Sequence, residues 1–401
     1  MKQAWVRTAL VVLVAGAGVH AQQGEIRIRA ARLIDGAGRV LPNVTVVVKG
    51  SSITAVEPSG ATPVDIDLGQ ATLLPGLIDV HVHIGWHFGA GGRFEPRAPT
   101  PSQDILYAAE NAYVTLMAGF TTVQSPGQPG DVELRDAIAR GVLPGPRILT
   151  SIVQITPMSG TPAELRQRVR DLKRLRADVV KIIDSVGGRT GVEQAMTREQ
   201  WDALCSEARA QELRTMVHAQ TSESVRAAVN AGCMQIEHGV GIDASTLTFL
   251  AERGAYFDPN VGLVMQNYLR NRSRFLGIGD YTEDSFASME QTMKLNAALI
   301  RKAVATPRLK LVMGSDAVAG GHGRNADEIV ERVRQGGQKS MDAILSATSL
   351  AAESLGLEKT IGKIAPGYEA DVIAVDGDPL ADIRALGRVT FVMRQGKVYK
   401  R

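Results

Sequence analysis

Eight short apolar runs alternate with amphipathic stretches through the middle of this chain, and no other feature of the sequence limits the fold as much. Stretches such as DILYAAENAYVTLMA, AELRQRVRDLKRL and EQWDALCSEARAQ have the helical period, whereas the runs between them are short and apolar, as buried strands are. Eight βα units predict an α/β fold, a closed (β/α)8 TIM barrel. The predicted strands span residues 77–84, 120–124, 147–152, 178–184, 214–219, 234–238, 255–259 and 309–316.

Both ends of the chain carry β-strand patterns bounded by Gly, Pro, Asn or Ser. IRIRAARLID, NVTVVVKG and SSITAVEP lie near the N-terminus, and ADVIAVDGD and VTFVMRQGKVYK lie near the C-terminus. Neither end has enough strands to be stable alone, so we expect the two ends to form one small β-sandwich beside the barrel. The predicted divisions are residues 22–74 and 357–401 for the two parts of the sandwich and residues 75–356 for the barrel.

The first 21 residues have the pattern of a bacterial-type signal peptide. Lys2 and Arg7 precede or flank an apolar run over residues 9–19, and Val19-His20-Ala21 offers a small-x-small cleavage site. No later stretch reaches about 18 apolar residues, the length of a membrane span. We therefore expect cleavage after Ala21 and an exported protein, periplasmic or extracellular, with an uncleaved N-terminal anchor as the alternative.

Cys205 and Cys233 are the only two cysteines. They could pair in an oxidising compartment, but their separation in sequence does not tell whether they meet. Two buried free thiols are the favoured interpretation.

The charge balance argues against a nucleic-acid partner. The formal net charge is +3, aromatic residues make up 4% of the chain, and no basic stripe stands out. Phosphate binding needs a concentrated Lys/Arg surface, so nucleic acid is not expected as a partner.

Histidines concentrate at the predicted strand ends. His81 and His83, at positions i and i+2 of one strand, point to the same face and can reach one ion together. The chain has seven histidines, and four of them fall at strand ends, where the chemistry of a barrel takes place. The full set of chemistry-bearing strand-end residues is His81, His83, Lys181, His218, His238 and Asp316.

These side chains predict a catalytic metal site. Imidazole and carboxylate suit zinc and its neighbours in the transition series, and cysteine is absent from the set. Lys181 is the exception, because an ammonium repels a cation. A lysine that extends its ammonium toward water, or that pairs with Asp184, would explain it. A lysine converted to a carbamate by carbon dioxide would instead be an anionic ligand able to bridge two ions.

The motifs LPGLIDVHVH, IEHG and GSDA, with the tail IGKIAPGYEADVIAVDGDPL, resemble the amidohydrolase superfamily. The chain is most similar to the branch with imidazolonepropionase-like proteins, Xaa-Pro and Xaa-Arg/Lys dipeptidases and ochratoxin-hydrolysing amidases. The resemblance implies two divalent ions, expected to be zinc, and a hydroxide that bridges them. It assigns His81, His83 and Asp316 to the more buried ion, His218 and His238 to the other, and carboxylated Lys181 to both. Asp316 would also transfer the proton from the hydroxide to the leaving amine.

Further residues are candidates for contacts with the substrate. His87 and His322 follow the first and eighth strands, where a solvated loop histidine is an equal alternative. The segment over residues 261–281 is long for a βα connection and is a candidate lid. Its Arg and Tyr side chains could hold a substrate carboxylate, although a solvated helical face explains the arginines equally well; they are Tyr268, Arg270, Arg272, Arg274 and Tyr281.

The predicted function is hydrolysis of an amide in a small molecule, either a dipeptide or an N-acyl amino acid. A homo-oligomer is one alternative for the assembly of the protein. Cyclic-amide hydrolysis, lactonase activity and phosphotriesterase activity are alternatives within the same fold. A deaminase is disfavoured, because Thr221 occupies the position three residues after His218 where deaminases of this superfamily place a glutamate. A non-enzymatic scaffold is also disfavoured, since the ligand set has no gap.

Overall fold

The computed structural model describes residues 24–186 and 194–401. The predicted signal peptide lies outside these residues, so its cleavage stays a prediction. Across the described part of the chain, no helix combines the length and the apolar character needed to cross a membrane.

The described residues form short strands and helices of moderate length. The strands are β1 Glu25–Ile34, β2 Val40–Lys49, β3 Ser52–Pro58, β4 Ile66–Asp67, β5 Thr72–Pro75, β6 Leu77–Asp79, β7 His87–Phe88, β8 Phe94–Glu95, β9 Phe120–Ser125, β10 Arg147–Thr150, β11 Gln154–Ile155, β12 Val179–Ile183, β13 Ser185–Val186, β14 Gln194–Ala195, β15 Arg214–Thr221, β16 Gln235–Gly241, β17 Tyr256–Asp258, β18 Lys310–Leu311, β19 Val372–Val375, β20 Val389–Arg394 and β21 Lys397–Lys400. The α-helices are α1 Pro101–Met117, α2 Asp131–Ala139, α3 Pro162–Arg174, α4 Arg198–Ala210, α5 Ser222–Asn230, α6 Ala244–Arg253, α7 Leu263–Arg270, α8 Arg272–Phe275, α9 Glu283–Ala305, α10 Ala326–Gly336, α11 Ser340–Ser346 and α12 Ser349–Ser354.

Strands from both chain ends lie in one eight-stranded sheet. Its order is β21-β20-β19-β5-β1-β2-β3, and β4 also pairs with β1. The N-terminal and C-terminal parts meet where β19 runs antiparallel to β5, with Val372 opposite Pro75. Apolar side chains such as Ile28, Leu73 and Phe391 are fully buried in its core. A division of this sheet into the two layers of a sandwich stays a prediction.

Parallel strands form the centre of the molecule. One sheet has the order β10-β9-β6, and a second has the order β11-β12-β15-β16-β17-β18. Backbone hydrogen bonds connect the two sheets on both sides, from Asp178 N to Thr150 O at 2.8 Å and from Val80 N to Met313 O at 3.0 Å. Helices α1 to α12 follow or separate these strands, as in βα units. The closure of the strands into an eight-stranded barrel remains an interpretation of this pattern.

The first and last predicted barrel strands are shorter than expected. The sequence predicts strands over residues 77–84 and 309–316, but β6 ends at Asp79 and β18 ends at Leu311. Beyond those ends only Val82 and Ala317 form an isolated parallel bridge. The ladder stops because neighbouring backbone N–H groups bond to buried side chains instead: the carboxylate of Asp79 accepts hydrogen bonds from the N–H groups of His81 and Ser315.

The predicted lid segment is helical. Residues 261–281 contain α7 and the short α8, and their apolar side chains pack with the hairpin of β7 and β8 in one aromatic-rich cluster. That hairpin was not predicted from the sequence, since each of its strands has only two residues. The segment therefore packs as folded structure against the loop that follows His83.

The expectation of two free thiols is wrong. Cys205 on α4 and Cys233 after α5 form a disulfide with an S–S distance of 2.08 Å and a Cα–Cα distance of 5.2 Å. Both residues are buried in the largest apolar cluster. The sequence could not show this pairing, because the distance between the two cysteines depends on how α4 and α5 pack.

Loss of this disulfide should destabilise the protein, since the crosslink restricts the unfolded chain across 28 residues. For a loop of this length the expected loss in free energy of unfolding is about 3–4 kcal/mol. We expect a lower thermal unfolding midpoint for Cys205→Ala/Cys233→Ala, and for the wild type in dithiothreitol. The double variant should not respond to dithiothreitol. Equal midpoints for the reduced and oxidised wild type would show that the crosslink does not stabilise the fold.

Candidate metal centre

Three of the predicted ligands meet where the first and last parallel strands end. His81 Nε2 lies 3.4 Å from Asp316 Oδ1, and His83 Nε2 lies 3.2 Å from the same oxygen. His81 is buried, whereas the side chains of His83 and Asp316 are 13% and 14% exposed. These three residues therefore form a group with a buried side and an open side, as a catalytic site requires.

The other predicted ligands lie against this group. The ring of His238 lies 5.4 Å from that of His81 and 4.3 Å from that of His218, measured between ring centroids. Lys181, on β12, is fully buried, and its Nζ contacts the carboxylate of Glu237. Glu237 Oε2 in turn lies 3.2 Å from His81 Nδ1. The structure thus brings all six sequence-predicted residues into one continuous cluster.

Glu237 is the one residue of the cluster that sequence analysis missed. In a regular strand, adjacent residues point to opposite faces, so a ligand at His238 would place Glu237 on the other face. His238 has a left-handed backbone conformation, with φ of 69°, and the alternation does not hold there. Glu237 and His238 consequently both lie beside His81. The signal available in the sequence was the charged residue Glu237 in the motif IEHG, inside a predicted buried strand.

Burial controls the charges of the cluster. It lowers the pKa of His81 and of His238 well below the usual range of histidine, and the neighbouring Lys181 ammonium acts in the same direction. Burial raises the pKa of Glu237 to about 8, although Lys181 opposes this shift. The two imidazoles are therefore neutral near pH 7, which is the form that binds a metal.

The residues fit divalent metal ions. His81 Nδ1, His81 Nε2 and Asp316 Oδ1 are buried atoms without a hydrogen-bond partner among the described residues. Such atoms cost free energy unless something binds them. Two groups have ligand atoms within 4.8 Å of one another, and nitrogen and carboxylate oxygen are the donors in both: His81, Glu237 and His238, and His81, His83 and Asp316.

The sequence profile of the Amidohydrolase family matches residues 72–399. The chain belongs to the amidohydrolase family. The resemblance predicted from the motifs is therefore confirmed, and the protein is a hydrolytic enzyme that acts on amide bonds. The family is typically metal-dependent and acts on small molecules.

Individual relatives agree with this assignment. Ochratoxinase from Aspergillus niger is 25% identical, with 93% of this chain and 86% of the relative covered. A crystal structure of a Xaa-Pro dipeptidase with bound methionine in the active site superposes with a TM-score of 0.83 at 30% identity, covering 94% of this chain and all of that one. A prolidase complexed with N-methylphosphonate-L-proline has the same TM-score at 24% identity, covers 94% of this chain and all of its own, and shows the shared fold alone.

Aromatic and histidine side chains lie beside the candidate metal centre of this amidohydrolase. The ring of Trp86 lies 4.5 Å from that of His83, and His322 Nε2 lies 3.1 Å from the backbone oxygen of Trp86. Burial lowers the pKa of His322 to about 4, so this imidazole is neutral. His87 is buried, with Nδ1 2.9 Å from Gly85 O and its ring stacked on Tyr107 at 3.9 Å. His322 thus contacts the residue whose ring borders His83, whereas His87 contacts Gly85 and Tyr107.

The arginines and tyrosines of the predicted lid contact other protein groups. Tyr281 donates a hydrogen bond to Tyr268 at 3.1 Å, and both residues are buried. Arg272 pairs with Glu283. Arg274 lies 3.3 Å above the Phe88 ring and donates to Gly92 O at 2.5 Å.

Arg270 differs from these arginines because it is partly exposed and its hydrogen bond to Gln266, 3.4 Å long, lies within α7. A role of these side chains in holding a substrate carboxylate stays a prediction.

Trp86 should report metal binding, because its ring lies beside His83. In a Trp5→Phe/Trp201→Phe variant Trp86 is the only tryptophan. Addition of Co²⁺, which quenches nearby indole fluorescence, should lower the emission in a saturable way, and Zn²⁺ should compete. The same background with His83→Ala serves as control and should not show saturable quenching. Identical titrations for the two proteins would argue against metal binding at His83.

Proposed function

We propose that this protein is a metal-dependent amidase or dipeptidase with two divalent ions, zinc in the first instance. The observation that carries the proposal is the cluster of His81, His83, Lys181, His218, His238 and Asp316. In it the two ring nitrogens of His81 and Oδ1 of Asp316 are buried without a hydrogen-bond partner among the described residues. Family membership supports the same conclusion. The closed (β/α)8 barrel, the β-sandwich, the domain boundaries and export by a signal peptide belong to the same proposal. The Cys205–Cys233 disulfide supports export, since disulfides persist in oxidising compartments.

The residues would divide between the two ions. His81, His83 and Asp316 would hold one ion, His218 and His238 would hold the other, and Lys181, as a carbamate, would serve as a ligand for both. When bound, the two ions would polarise the scissile carbonyl group and lower the pKa of water. Lys181 Nζ contacts Glu237, whose Oε2 also lies 3.2 Å from His81 Nδ1, so a carbamate on this lysine would lie close to the predicted ligands.

Asp316 is the proposed acid and base. Its carboxylate lies beside His81 and His83 but remains partly exposed, so it can reach both the ligand group and a bound substrate. It would accept a proton from the attacking water and donate it to the nitrogen of the leaving amine. This donation matters because an amide nitrogen is a poor leaving group until it is protonated.

The proposed substrate is a linear amide that carries a carboxylate, such as a dipeptide or an N-acyl amino acid. The names of the relatives support this choice, since they include an ochratoxinase and a Xaa-Pro dipeptidase. In this chain Arg270 is exposed and its 3.4 Å hydrogen bond to Gln266 stays within α7, so it is the first candidate to bind that carboxylate. His322 would then border the substrate beside Trp86.

A hydrolase of neutral cyclic amides is the second candidate. It is favoured by the contacts of Arg272 and Arg274, which direct both guanidinium groups toward protein partners. With those groups engaged, a charged substrate would have to depend on Arg270. Lactone and phosphotriester hydrolysis are further outcomes of the same test.

Hydrolysis assays on a panel of compounds test the proposal. The zinc-loaded protein is incubated with N-acyl amino acids, dipeptides, cyclic amides, lactones and phosphotriesters, and products are identified by mass spectrometry. We expect cleavage of the linear C–N bond. The variant Asp316→Asn keeps the shape of the side chain but cannot accept a proton, so its turnover should fall by about 10²-fold or more. Cleavage of cyclic amides or esters alone would contradict the amidase proposal.

Lys181→Ala should lose most activity, because the bridging anion is removed. Short carboxylic acids that can occupy the vacated position should restore part of the activity and part of the bound metal. Lys173→Ala, which changes an exposed lysine on α3, is the matched control and should behave as the wild type. Full activity with two bound ions in Lys181→Ala would show that the lysine is not a bridging ligand.

A further inference from the structure

The backbone around Asp316 has a conformation that needs support. Asp316 has a φ of 50°, in the left-handed region that residues other than glycine rarely adopt. Such a conformation persists only where the surrounding structure holds it. It directs the carboxylate toward His81 and His83, so the groups that hold the backbone also decide the shape of the metal centre.

Asp79 is the first of these groups. Its buried carboxylate accepts hydrogen bonds from Ser315 N at 2.9 Å and from Ser315 Oγ at 2.5 Å. It also accepts one from His81 N at 3.1 Å and one from Asn325 Nδ2 at 2.7 Å. One carboxylate therefore binds the segment that carries His81 and the segment that carries Asp316.

Asp258, at the end of β17, is the second group. It accepts a hydrogen bond from Gly314 N at 2.8 Å, and Asn260 donates both to Asp258 at 2.9 Å and to Gly314 O at 2.8 Å. A Cβ atom at position 314 would lie 1.9 Å from Asp258 Oδ2. The approach of Asp258 is thus so close that only glycine fits at this position.

A buried ion-pair network that includes helix α10 holds Asp258 in place. Arg332 on α10 donates to Asp258 Oδ1 and to Glu328 Oε1, at 2.8 Å in each case, and all three side chains are fully buried. Glu328 accepts hydrogen bonds from the N–H groups of three consecutive residues at the start of α7, which are Val261, Gly262 and Leu263. The network connects the end of β17, helix α10 and the start of the predicted lid.

We propose that Asp79 and Asp258 are positioning residues, which hold residues 314 and 315 so that the Asp316 carboxylate faces His81 and His83. Neither needs to touch substrate or metal for this role. Loss of either carboxylate would release one anchor of the strained segment, and Asp316 would leave its ligand position for part of the time. The inference depends on the proposed metal role of Asp316.

The variants Asp79→Asn and Asp258→Asn test the inference, with Asp371→Asn as the matched control. Asp371 is also a buried carboxylate that accepts a backbone hydrogen bond, from Gln395 N at 2.7 Å, but it lies in the sheet formed by the chain ends. All three variants are full-length proteins, and each differs from the wild type by the replacement of one carboxylate oxygen with an amide nitrogen. The measurements are Zn²⁺ affinity by competition with a chromophoric chelator, kcat and KM, and the thermal midpoint.

We expect the Zn²⁺ affinity and kcat of both site variants to fall by about 10- to 100-fold, the usual effect of changing a group that orients a metal ligand. KM should change little, because the substrate contacts remain. Asp371→Asn should shift the thermal midpoint but leave affinity and kcat as in the wild type. Site variants whose affinity and kcat match those of Asp371→Asn would overturn the inference.

An exchange of partners separates positioning from general stability. Asp79→Asn/Asn325→Asp restores a carboxylate and amide pair in reverse order, so it should recover part of the lost affinity and kcat. If a carboxylate variant does not fold, Ser315→Ala decides in its place, since it removes only the hydroxyl that donates to Asp79. Unchanged Zn²⁺ affinity in Ser315→Ala would then overturn the inference.

The affinity measurement also separates this inference from the proposed function. If the wild type hydrolyses no amide, the amidase proposal fails, but reduced Zn²⁺ affinity in the site variants would still support the positioning role.

Discussion

The free-energy cost of removing charged groups from water is the constraint on which the rest of this structure depends. Lys181, Glu237, Asp79, Asp258, Glu328 and Arg332 are all almost fully buried near the ends of the parallel strands. A buried charge is tolerated only with partners that replace the lost hydration. Arg332 has three such partners, in Asp258, Glu328 and Val312 O. Neither ring nitrogen of His81 makes a hydrogen bond among the described residues, although carboxylate oxygens of Glu237 and Asp316 lie 3.2 and 3.4 Å away, and this contrast marks the place where an ion would bind.

Irregular backbone is the second consequence of gathering polar groups at strand ends. Ile152, His238, Asn260 and Asp316 all have positive φ values; His238 lies within β16, and the other three follow parallel strands. Regular strands alternate their side chains, so they cannot aim neighbouring residues at one point. The left-handed residues break this alternation and let Glu237 and His238 lie on the same cluster. Strain of this kind is typical of functional sites, where the surrounding contacts maintain it.

The segment over residues 261–281, which is predicted to be a lid, is stabilised by packing rather than by solvated side chains. Phe94, Phe275 and Tyr281 are buried in one cluster, with centroid distances of 5.0 to 5.6 Å between their rings. Arg274 adds a contact with Phe88 and a hydrogen bond to Gly92, and so connects α8 to the loop after His83. The arginines that were predicted to bind a substrate carboxylate thus also help to hold the predicted lid segment in place.

The sequence by itself determined the order of the chemistry-bearing residues and their placement at strand ends. Parallel strands joined by helices end at the same edge, so the alternation of predicted strands and helices was enough to predict that His81, His83, Lys181, His218, His238 and Asp316 would lie close together. The motifs were enough to identify the family, which the match over residues 72–399 confirms.

Only the tertiary structure decided what depends on contacts between distant segments. It joined Cys205 to Cys233 across two helices, added Glu237 to the cluster and ended β6 and β18 before their ligands. It also engaged Arg272 and Arg274 with protein groups. The physical reason is the same in each case: periodicity and motif spacing report which face of an element is buried, whereas the partner that a side chain meets is set by the packing of elements far apart in sequence.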